Sequence, residues 1–405
     1  MKNFIKLTLP TFLLLGSSTL YATNGDLMIG QGAKSRAMGG VGVAKSFGAD
    51  SALANPALIT SVRHSEVTGS LTFFMPDVEF GANDFDSRAS GSDLSFIPEF
   101  AYARSVSNFA IGVQASGVAG MGVDYDGLTG KTKDNGAFDM QTELQLFKIA
   151  IPLAVEFYPN ISIGVAPVLE IGSLQMNYMT PAGGSDNPKS NSSALGFEVG
   201  AAYDDGTYAI GAVYKSEIEL SYANNISQAV ADFGLASIAS GDTLTQPAEY
   251  GVGISYRYHR NTLSADYRLI AWSDAKGYGD FGWKDQDVFA LGYEYKFEKA
   301  SLRLGFNYAE SPIVEQDGNT YDGAAKNFFN LAGFPGIVEQ HYTAGFGYNI
   351  NKDLEFNGAL IYAPQIKESY NISGMSGALG FPTPAEADVA HSQLGITLAV
   401  SYKFL

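Results

Sequence analysis

The chain has 405 residues, among them 46 Gly, 23 Tyr and 26 Phe, and it contains no Cys. The absence of Cys excludes a disulfide framework and thiolate metal sites. The formal net charge of −17 argues against nucleic acid as a partner.

Residues 1–22 have the parts of a secretory signal peptide. Two lysines give a positive start, an apolar segment covers residues 7–15, and small polar residues lead to a cleavage expected after Ala22. No later apolar run approaches the roughly 20 residues that a membrane helix needs. The sequence therefore predicts an exported chain without a membrane-spanning helix.

A segment rich in Gly, Ala and Ser follows over residues 23–64, and it lacks the alternation of a strand. Gly39 and Gly40 allow close backbone approach. We expect a short helix over residues 48–54 that Pro56 ends. Such low-bulk sequence predicts a compact coil packed inside another structure.

From residue 65 onward the hydrophobic pattern has a period of two. In the segment 394–404, apolar side chains occupy one face, and small or polar side chains occupy the other. Large aromatics lie near the ends of the apolar face, whereas the opposite face mixes Gly with charged residues. This pattern is typical of transmembrane β-strands, and the alternative is a soluble sandwich.

The alternation predicts fourteen strands, and the connections between them support a barrel. Tight turns alternate with long loops, as in outer-membrane barrels that have short periplasmic turns and long external loops. The fold class expected is thus all-β, a 14-stranded antiparallel outer-membrane barrel over residues 65–405 with residues 23–64 as an internal hatch. The strands are expected at 66–77, 93–106, 108–121, 139–157, 161–178, 194–204, 207–222, 247–259, 262–274, 286–298, 301–312, 340–350, 354–366 and 393–404.

Two long loops carry apolar clusters. The first fits an amphipathic helix and contains Ile226, Val230, Phe233, Leu235 and Ile238. The second contains Phe328, Phe329, Leu331, Phe334 and Ile337. Apolar loops either bind an apolar ligand or pack on each other as a cap, and one arrangement serves both purposes.

Two stretches together resemble the FadL/TodX family of outer-membrane transporters of long-chain fatty acids and other hydrophobic compounds. Residues 24–59, NGDLMIGQGAKSRAMGGVGVAKSFGADSALANPALI, resemble the N-terminal hatch of that family and include Asn55, Pro56 and Ala57. Residues 283–313, WKDQDVFALGYEYKFEKASLRLGFNYAESPI, resemble its C-terminal signature. The resemblance covers the whole mature chain.

The resemblance implies a monomeric barrel in the outer membrane of a Gram-negative bacterium. Its expected partners are hydrophobic small molecules, together with the lipid and lipopolysaccharide around the barrel. It also implies an external apolar site and a lateral exit where the third strand bends inward. The third strand here, FAIGVQASGVAGMGV, has Ser116, Gly117 and Gly120 at the expected kink, although simple curvature is an alternative. A shift of the hatch near Asn55-Pro56-Ala57 is the expected gating step.

Two inward-facing cations are candidate contacts for a ligand carboxylate. Arg303 lies in mid-strand, and Lys148 is expected on an inward face as well. A cation in a lumen needs a partner. The alternative to a ligand is an internal ion pair with an inward carboxylate such as Glu143 or Glu294.

The sequence gives no case for an enzyme, a cofactor or a metal centre. The four His residues lack metal-ligand spacing, and His391-Ser392 has no third group to orient a catalytic pair. Asp124 and Asp126 before Gly127 suggest a Ca²⁺ loop, with a solvated acidic loop as the favoured alternative. A general diffusion porin and a surface adhesin barrel are the rival functions.

Overall fold

The computed structural model describes residues 23–82, 87–125, 140–180, 183–235, 238–379 and 383–404, so the expected signal peptide lies outside the described residues. Within these ranges, fourteen antiparallel strands form a barrel, which β14 closes by pairing with β1 from Phe404–Ser65 to Ala387–Ala82. The predicted fold is thus confirmed. The barrel strands are β1 (Ser65–Ala82), β2 (Ser95–Val106), β3 (Phe109–Asp124), β4 (Met140–Ala150, continued by Leu153–Tyr158), β5 (Ile161–Thr180), β6 (Ser190–Asp204), β7 (Tyr208–Lys215), β8 (Glu249–Tyr258), β9 (Asn261–Ile270), β10 (Gln286–Lys296), β11 (Ala300–Ala309), β12 (Gln340–Asn349), β13 (Leu354–Asn371) and β14 (Glu386–Phe404).

No helix in the described part of the chain is long and apolar enough to cross a membrane.

The pattern of exposure along the strands follows the sequence alternation. On β14, Ile396, Leu398 and Val400 are exposed on the outer face, whereas Thr397 and Ser401 are buried on the inner face. Apolar side chains that face outward suit a lipid surround. Inside, Thr397 is hydrogen-bonded to Thr72, and Ser401 accepts from Thr68.

Several strand bounds differ from the prediction. β13 continues beyond residue 366 to Asn371, and a register shift between Ala363 and Ile366 reverses the alternation of its faces there. β14 begins at Glu386, seven residues before the predicted start. β7 ends at Lys215, and Ile218–Ser221 pairs with Thr243–Gln246 as a separate ribbon. Both strand pairs lie at the end of the barrel that carries the long loops.

The hatch occupies the lumen as a chain of short elements. It contains the hairpin of Thr23–Asn24 with Leu27–Met28, helix α1 (Gly32–Arg36), and 3₁₀ turns at Gly48–Ser51 and Pro56–Ser61. The prediction for Pro56 was wrong, since this residue begins a 3₁₀ turn instead of ending a helix. A proline has no N–H to satisfy at a first helical position, and the Asn55 side chain accepts the N–H of Ala57 there.

Glycines of the barrel wall let the hatch backbone lie directly against the strands. A Cβ on Gly200 would overlap the Asn55 side chain, and one on Gly305 would overlap the backbone of Gly39. The same kind of contact occurs at Gly164, Gly211, Gly292 and Gly345. Six inward-facing glycines thus form a wall belt that fits the hatch.

The external loops add further helices and short strands. They contain α2 (Ile226–Asp232), α3 (Tyr321–Gly333), α4 (Ser376–Leu379), a 3₁₀ turn at Ser373–Met375 and strands at Arg88–Ala89 and Gly183–Asp186. α3 begins after Thr320, whose hydroxyl accepts the N–H of Gly323. Of the first predicted cluster, Ile226 and Val230 lie in α2, whereas Phe233, Leu235 and Ile238 lie beyond its end.

Candidate functional site

An apolar pocket lies between the external loops and the strands β3 to β5. The loops contribute α2, α3 and the segment 271–285 between β9 and β10. Except for Tyr278 and Asn330, the side chains around the pocket are apolar. The lining residues are Met121, Leu144, Leu174, Met176, Ile226, Leu244, Gly277, Tyr278, Phe281, Trp283, Phe329, Asn330 and Phe334.

The pocket roof is an aromatic cluster built by α2, α3 and the segment 271–285. The Phe329 ring stacks on Phe281 with 4.9 Å between centroids and contacts Phe334 at 5.5 Å. Phe233, at the end of α2, contacts both Phe328 and Phe329. The structure therefore brings four predicted site residues together, two in the pocket lining and two directly behind it. Ile238 is half-buried against the same core.

The polar groups of the pocket are already satisfied by protein partners. The Asn330 amide donates to the Phe281 carbonyl oxygen at 2.8 Å and accepts from the Trp283 indole at 3.2 Å. The Tyr278 hydroxyl donates to Asp26. No charged side chain lines the pocket. The pocket thus offers dispersion and aromatic contacts to a ligand but no counter-ion.

A buried hydrogen-bond cluster forms the floor of the pocket. Asp26 of the hatch accepts from Tyr278 and from the Gln246 amide, the latter at 3.3 Å. Burial raises the pKa of Asp26 from its usual 3.8 to about 7. The cluster links the hatch to two external loops, so a movement of the hatch changes the pocket floor.

Below this floor lies a charged chamber between the hatch and the barrel wall. Its charged lining residues are Lys148, Glu198, Lys215, Glu249 and Arg268. Lys215 lies 3.2 Å from Glu249, whereas Arg268 approaches the same carboxylate only to 3.6 Å. Nε and Nη2 of Arg268 are buried and have no hydrogen-bond partner among the described residues. Two donors on one edge of a guanidinium fit a carboxylate.

The two predicted inward cations lie in different places. Arg303 is buried away from both cavities, where its Nε donates to Glu294 at 2.9 Å and its Nη1 donates to Asn357. Lys148 lines the charged chamber and lies 3.7 Å from Glu170. Glu143, expected as a partner, instead pairs with Lys189. Arg303 therefore forms an internal ion pair with Glu294, and Lys45 of the hatch lies 3.0 Å from the same carboxylate.

The third barrel strand leaves the wall at the predicted glycines. β2 pairs with β3 only up to Glu99–Ser116, and a register shift against β4 follows between Gly117 and Ala119. Exposure alternates along β3 before this point, whereas every residue over 117–123 is buried. Both observations fit an inward bend of β3. We call the stretch where β2 and the upper part of β3 are unpaired the lateral gap.

The lateral gap has defined ends. Below it, Arg36 of the hatch forms two 2.8 Å bonds to the carboxylate of Glu99, which Ser116 also reaches at 2.8 Å. Above it, the N–H of Gly91 donates to the Asp124 carbonyl oxygen at 2.6 Å. The bent part of β3 forms the inner wall of the gap, and its Met121 also lines the apolar pocket.

The hatch contacts the bent strand through its first hairpin. Leu27 pairs with Ala119, and the N–H of Gly120 donates to the Asp26 carbonyl oxygen at 3.1 Å. Asn55 lies farther round the barrel, where its amide donates to Val43 of the hatch and to the carbonyl oxygens of Ala201 and Ala212. The Asn55-Pro56-Ala57 turn is thus anchored to β6 and β7.

The remaining sequence hypotheses concern metals and histidines. Asp126 and Gly127 of the suggested Ca²⁺ loop lie outside the described residues. Among the residues that the structure describes, no group of three or more metal-binding side chains occurs. His391 donates through Nδ1 to the Pro335 carbonyl oxygen, and Gln393 lies between His391 and His341. Both imidazoles are buried where β12, β14 and Pro335, which follows α3, meet.

Sequence reasoning missed the segment 271–285, which supplies Tyr278, Phe281 and Trp283 to the pocket. Four aromatics within twelve residues were the available signal. The signal was missed because the start of the segment was assigned to the predicted strand 262–274 and its end to the stretch 283–313. It also missed Glu99 and Asp26. Their roles depend on contacts with residues 63 and 252 positions away, and no local pattern reports those contacts.

Comparison with protein families shows that a model described as outer membrane protein transport protein (OMPP1/FadL/TodX) matches residues 28–404. A comparison with curated proteins finds no match.

Solved structures share the fold. The toluene transporter TodX of Pseudomonas putida is 17% identical with a TM-score of 0.67, over 93% of this chain and 99% of the other. The toluene transporter TbuX of Ralstonia pickettii is 19% identical with a TM-score of 0.65, over 93% and 99%. A Pseudomonas aeruginosa FadL homologue is 17% identical with a TM-score of 0.68, over 94% and 100%.

Proposed function

Because this chain belongs to the family of outer membrane transport proteins (OMPP1/FadL/TodX), we propose that it carries uncharged hydrophobic compounds, such as aromatic hydrocarbons, into the outer membrane by passive diffusion. The family and the barrel fold imply the outer membrane of a Gram-negative bacterium, and they describe a transporter instead of an enzyme. The observation that carries the proposal is the apolar pocket, which is rich in aromatic rings and has no charged side chain in its lining.

Capture at the pocket needs no energy source on the protein. Burying the roughly 200 Å² of a single aromatic ring contributes about 5 kcal/mol before the cost of association. The rings of Phe281, Trp283 and Phe329 add edge and stacking contacts that favour an aromatic ligand. Binding of this strength concentrates a ligand and still allows it to leave.

The pocket floor and the charged chamber make a direct path to the periplasm unfavourable. An apolar ligand moving downward would separate Tyr278 and Gln246 from Asp26 and would then displace water from the ionised groups of the chamber. Buried polar groups that lose their partners cost about 1–3 kcal/mol each. The lower route is therefore blocked to apolar molecules even without a steric seal.

The lateral gap is the exit that we propose. Met121 on the bent part of β3 borders the pocket, so a small displacement of this strand and of Leu27 connects the pocket to the gap. Outside the gap lies hydrocarbon, where an apolar ligand is stable. The hatch therefore has to loosen at its first hairpin, while Asn55 keeps the remainder anchored to β6 and β7.

Intrinsic fluorescence tests ligand class directly. The chain has two Trp residues, Trp272 and Trp283, whose rings are 5.0 Å apart, and Trp283 lines the pocket. We expect toluene to change the emission of purified protein in a saturable manner and sodium oleate not to compete with it. No saturable change with either compound contradicts the proposal.

A long-chain fatty acid is the second candidate ligand, and Arg268 favours it. The free Nε and Nη2 edge of Arg268 in the charged chamber fits a carboxylate, and the apolar pocket above fits a chain. In this case oleate displaces toluene, and Arg268→Gln weakens oleate binding while leaving toluene binding unchanged. The same titration thus separates the two candidates.

The exit route is tested by a disulfide between the hatch and the bent strand. Leu27 and Ala119 are directly paired, so cysteines at both positions lie within bridging distance, and the natural chain has no cysteine. Oxidation of Leu27→Cys/Ala119→Cys should abolish toluene uptake into cells, and reduction should restore it. A matched bridge at Ala265 and Leu291 in the wall pair of β9 and β10 should have no effect. Full uptake by the oxidised hatch variant would refute the exit step.

A further inference from the structure

The outer surface of the barrel has an open groove that is separate from the two inner cavities. It extends across the wall from β2 to β7, near the ends of these strands that carry the short turns. Its lining is apolar except at Arg104, and the side chains that form its surface include Phe109, Ile111, Leu153, Ile163, Val165 and Val199. These residues are exposed on the lipid-facing side.

Arg104 lies at the edge of this groove on the same outward face. Tyr102 and Val106 lie on the same face of β2 as Arg104, and the ladder partners of Arg104 are Ser65 on β1 and Ile111 on β3. None of these neighbours is acidic. No hydrogen bond or ion pair to the Arg104 side chain occurs in the part of the chain that the structure describes. A guanidinium on a lipid-facing wall therefore lacks a protein counter-ion.

The depth of Arg104 matches a lipid headgroup. It precedes the turn residue Ser107 by three positions, which is about 10 Å along a strand. A cation on the lipid face is unfavourable at the bilayer centre and nearly neutral near the interface, where a phosphate is within reach. A guanidinium binds phosphate with two parallel hydrogen bonds.

We propose that the groove binds one phospholipid of the periplasmic leaflet, with its phosphate on Arg104 and an acyl chain along Ile111, Leu153 and Ile163. The occupant is a lipid because the site joins one cation at headgroup depth to a long apolar surface that faces the bilayer. The site lies on the outer wall, so it does not depend on which compound the apolar pocket binds.

Native mass spectrometry of the delipidated barrel with added phosphatidylglycerol tests this site. The wild type should retain one phosphatidylglycerol, and Arg104→Gln should lower its occupancy about fivefold, the effect of one interfacial cation. Arg260→Gln, which removes an exposed arginine in a periplasmic turn, is the matched control and should retain the lipid. Ala212→Phe places a large ring in the groove while Arg104 remains, and it should lower the occupancy as well.

Two results would overturn the proposal. One is equal phosphatidylglycerol occupancy in the wild type and Arg104→Gln. The other is displacement of the retained lipid by an equimolar amount of oleate, which would assign the groove to an exported or imported acid instead of a phospholipid. Arg104 and Ala212 face outward, so neither substitution should disturb the lumen. A difference in electrophoretic mobility between heated and unheated samples shows that each variant is folded.

Discussion

Arg36 of the hatch and Glu99 of β2 form a buried two-bond ion pair at the lower end of the lateral gap, with 2.8 Å for each bond. Ser70 and Ser116 also donate to this carboxylate, so its acceptor sites are occupied. β2 and β3 separate at the next position along the ladder. The pair therefore joins the hatch to the wall at the point where the barrel opens, and it resists displacement of α1.

Glu99→Gln should loosen the hatch. The substitution leaves the Arg36 charge buried without its counter-ion, and breaking such a pair costs about 3–5 kcal/mol. Hydrogen–deuterium exchange of the α1 amides should then be at least about a hundredfold faster, because local opening becomes that much more frequent. The wild type and Glu99→Gln are compared at the same pH, so that their intrinsic exchange rates are equal.

The control for this effect is an exposed pair of the same chemistry. Lys284 and Glu310 lie 3.1 Å apart in external loops, with both side chains about half exposed or more. Such pairs contribute roughly 0–1 kcal/mol, so Glu310→Gln should leave α1 exchange unchanged. Unaltered exchange in Glu99→Gln would show that the buried pair does not hold the hatch.

Gly305→Ala should displace the hatch from the wall belt. The added Cβ would overlap the backbone N of Gly39 and the carbonyl carbon of Met38, and neither is a flexible side-chain end. Overpacking of this kind costs about 1–3 kcal/mol. Gly69→Ala is the matched variant, because nothing lies within 4 Å of a Cβ at that strand position. Single-channel recordings should show larger or more frequent openings for Gly305→Ala than for Gly69→Ala. Identical conductance would mean that the hatch tolerates the methyl group in place.

The barrel itself was predictable from the sequence because lipid and lumen impose opposite polarity on successive side chains. Ile396 and Thr397 report that difference without any knowledge of their neighbours. The same reasoning failed where the period is interrupted. Between Ala363 and Ile366 a bulge reverses the faces of β13. On β14 the faces continue unchanged, but the extension carries the apolar side chains of Ala387 and Val389 on the inner face, where the membrane part carries Thr397 and Ser401.

The site was predictable only in part. Phe329 and Phe334 stood out as apolar residues in a loop, and the structure places both in the pocket lining. Arg303 stood out as an inward cation with Glu143 or Glu294 as possible partners, and the structure pairs it with Glu294, which lies in direct register on the neighbouring strand. Arg268 was not singled out, because its unpaired edge is visible only once its distance to Glu249 is known. Pairing in a lumen depends on register and hatch position, which a single sequence does not encode locally.

Phe329→Ala should weaken toluene binding about tenfold. The ring stacks on Phe281 and lines the pocket, so its removal takes away roughly 1–2 kcal/mol of ligand contact. Phe297→Ala, which removes a lipid-facing ring that is 53% exposed, is the matched control and should bind normally. Binding is measured from the Trp emission change. Equal affinity in both variants would place the ligand elsewhere.

The docking of the hatch should weaken as the pH rises from about 4 to about 7. Burial raises the pKa of Asp26 from 3.8 to about 7, so the docked hatch holds this proton more tightly than the released hatch does. The resulting stabilisation is complete below about pH 4 and disappears as the pH passes about 7; a shift of about three units corresponds to at most about 4 kcal/mol. Channel openings in planar bilayers should therefore become more frequent between pH 5 and pH 8 in the wild type. Asp26→Asn keeps a neutral side chain of the same shape and should reduce this dependence, whereas Glu298→Gln, at an exposed turn position, should preserve it. Burial also raises the pKa of Asp50 in the hatch to about 8, so a remainder is expected in Asp26→Asn. An unchanged pH dependence in Asp26→Asn would assign the titration to another group.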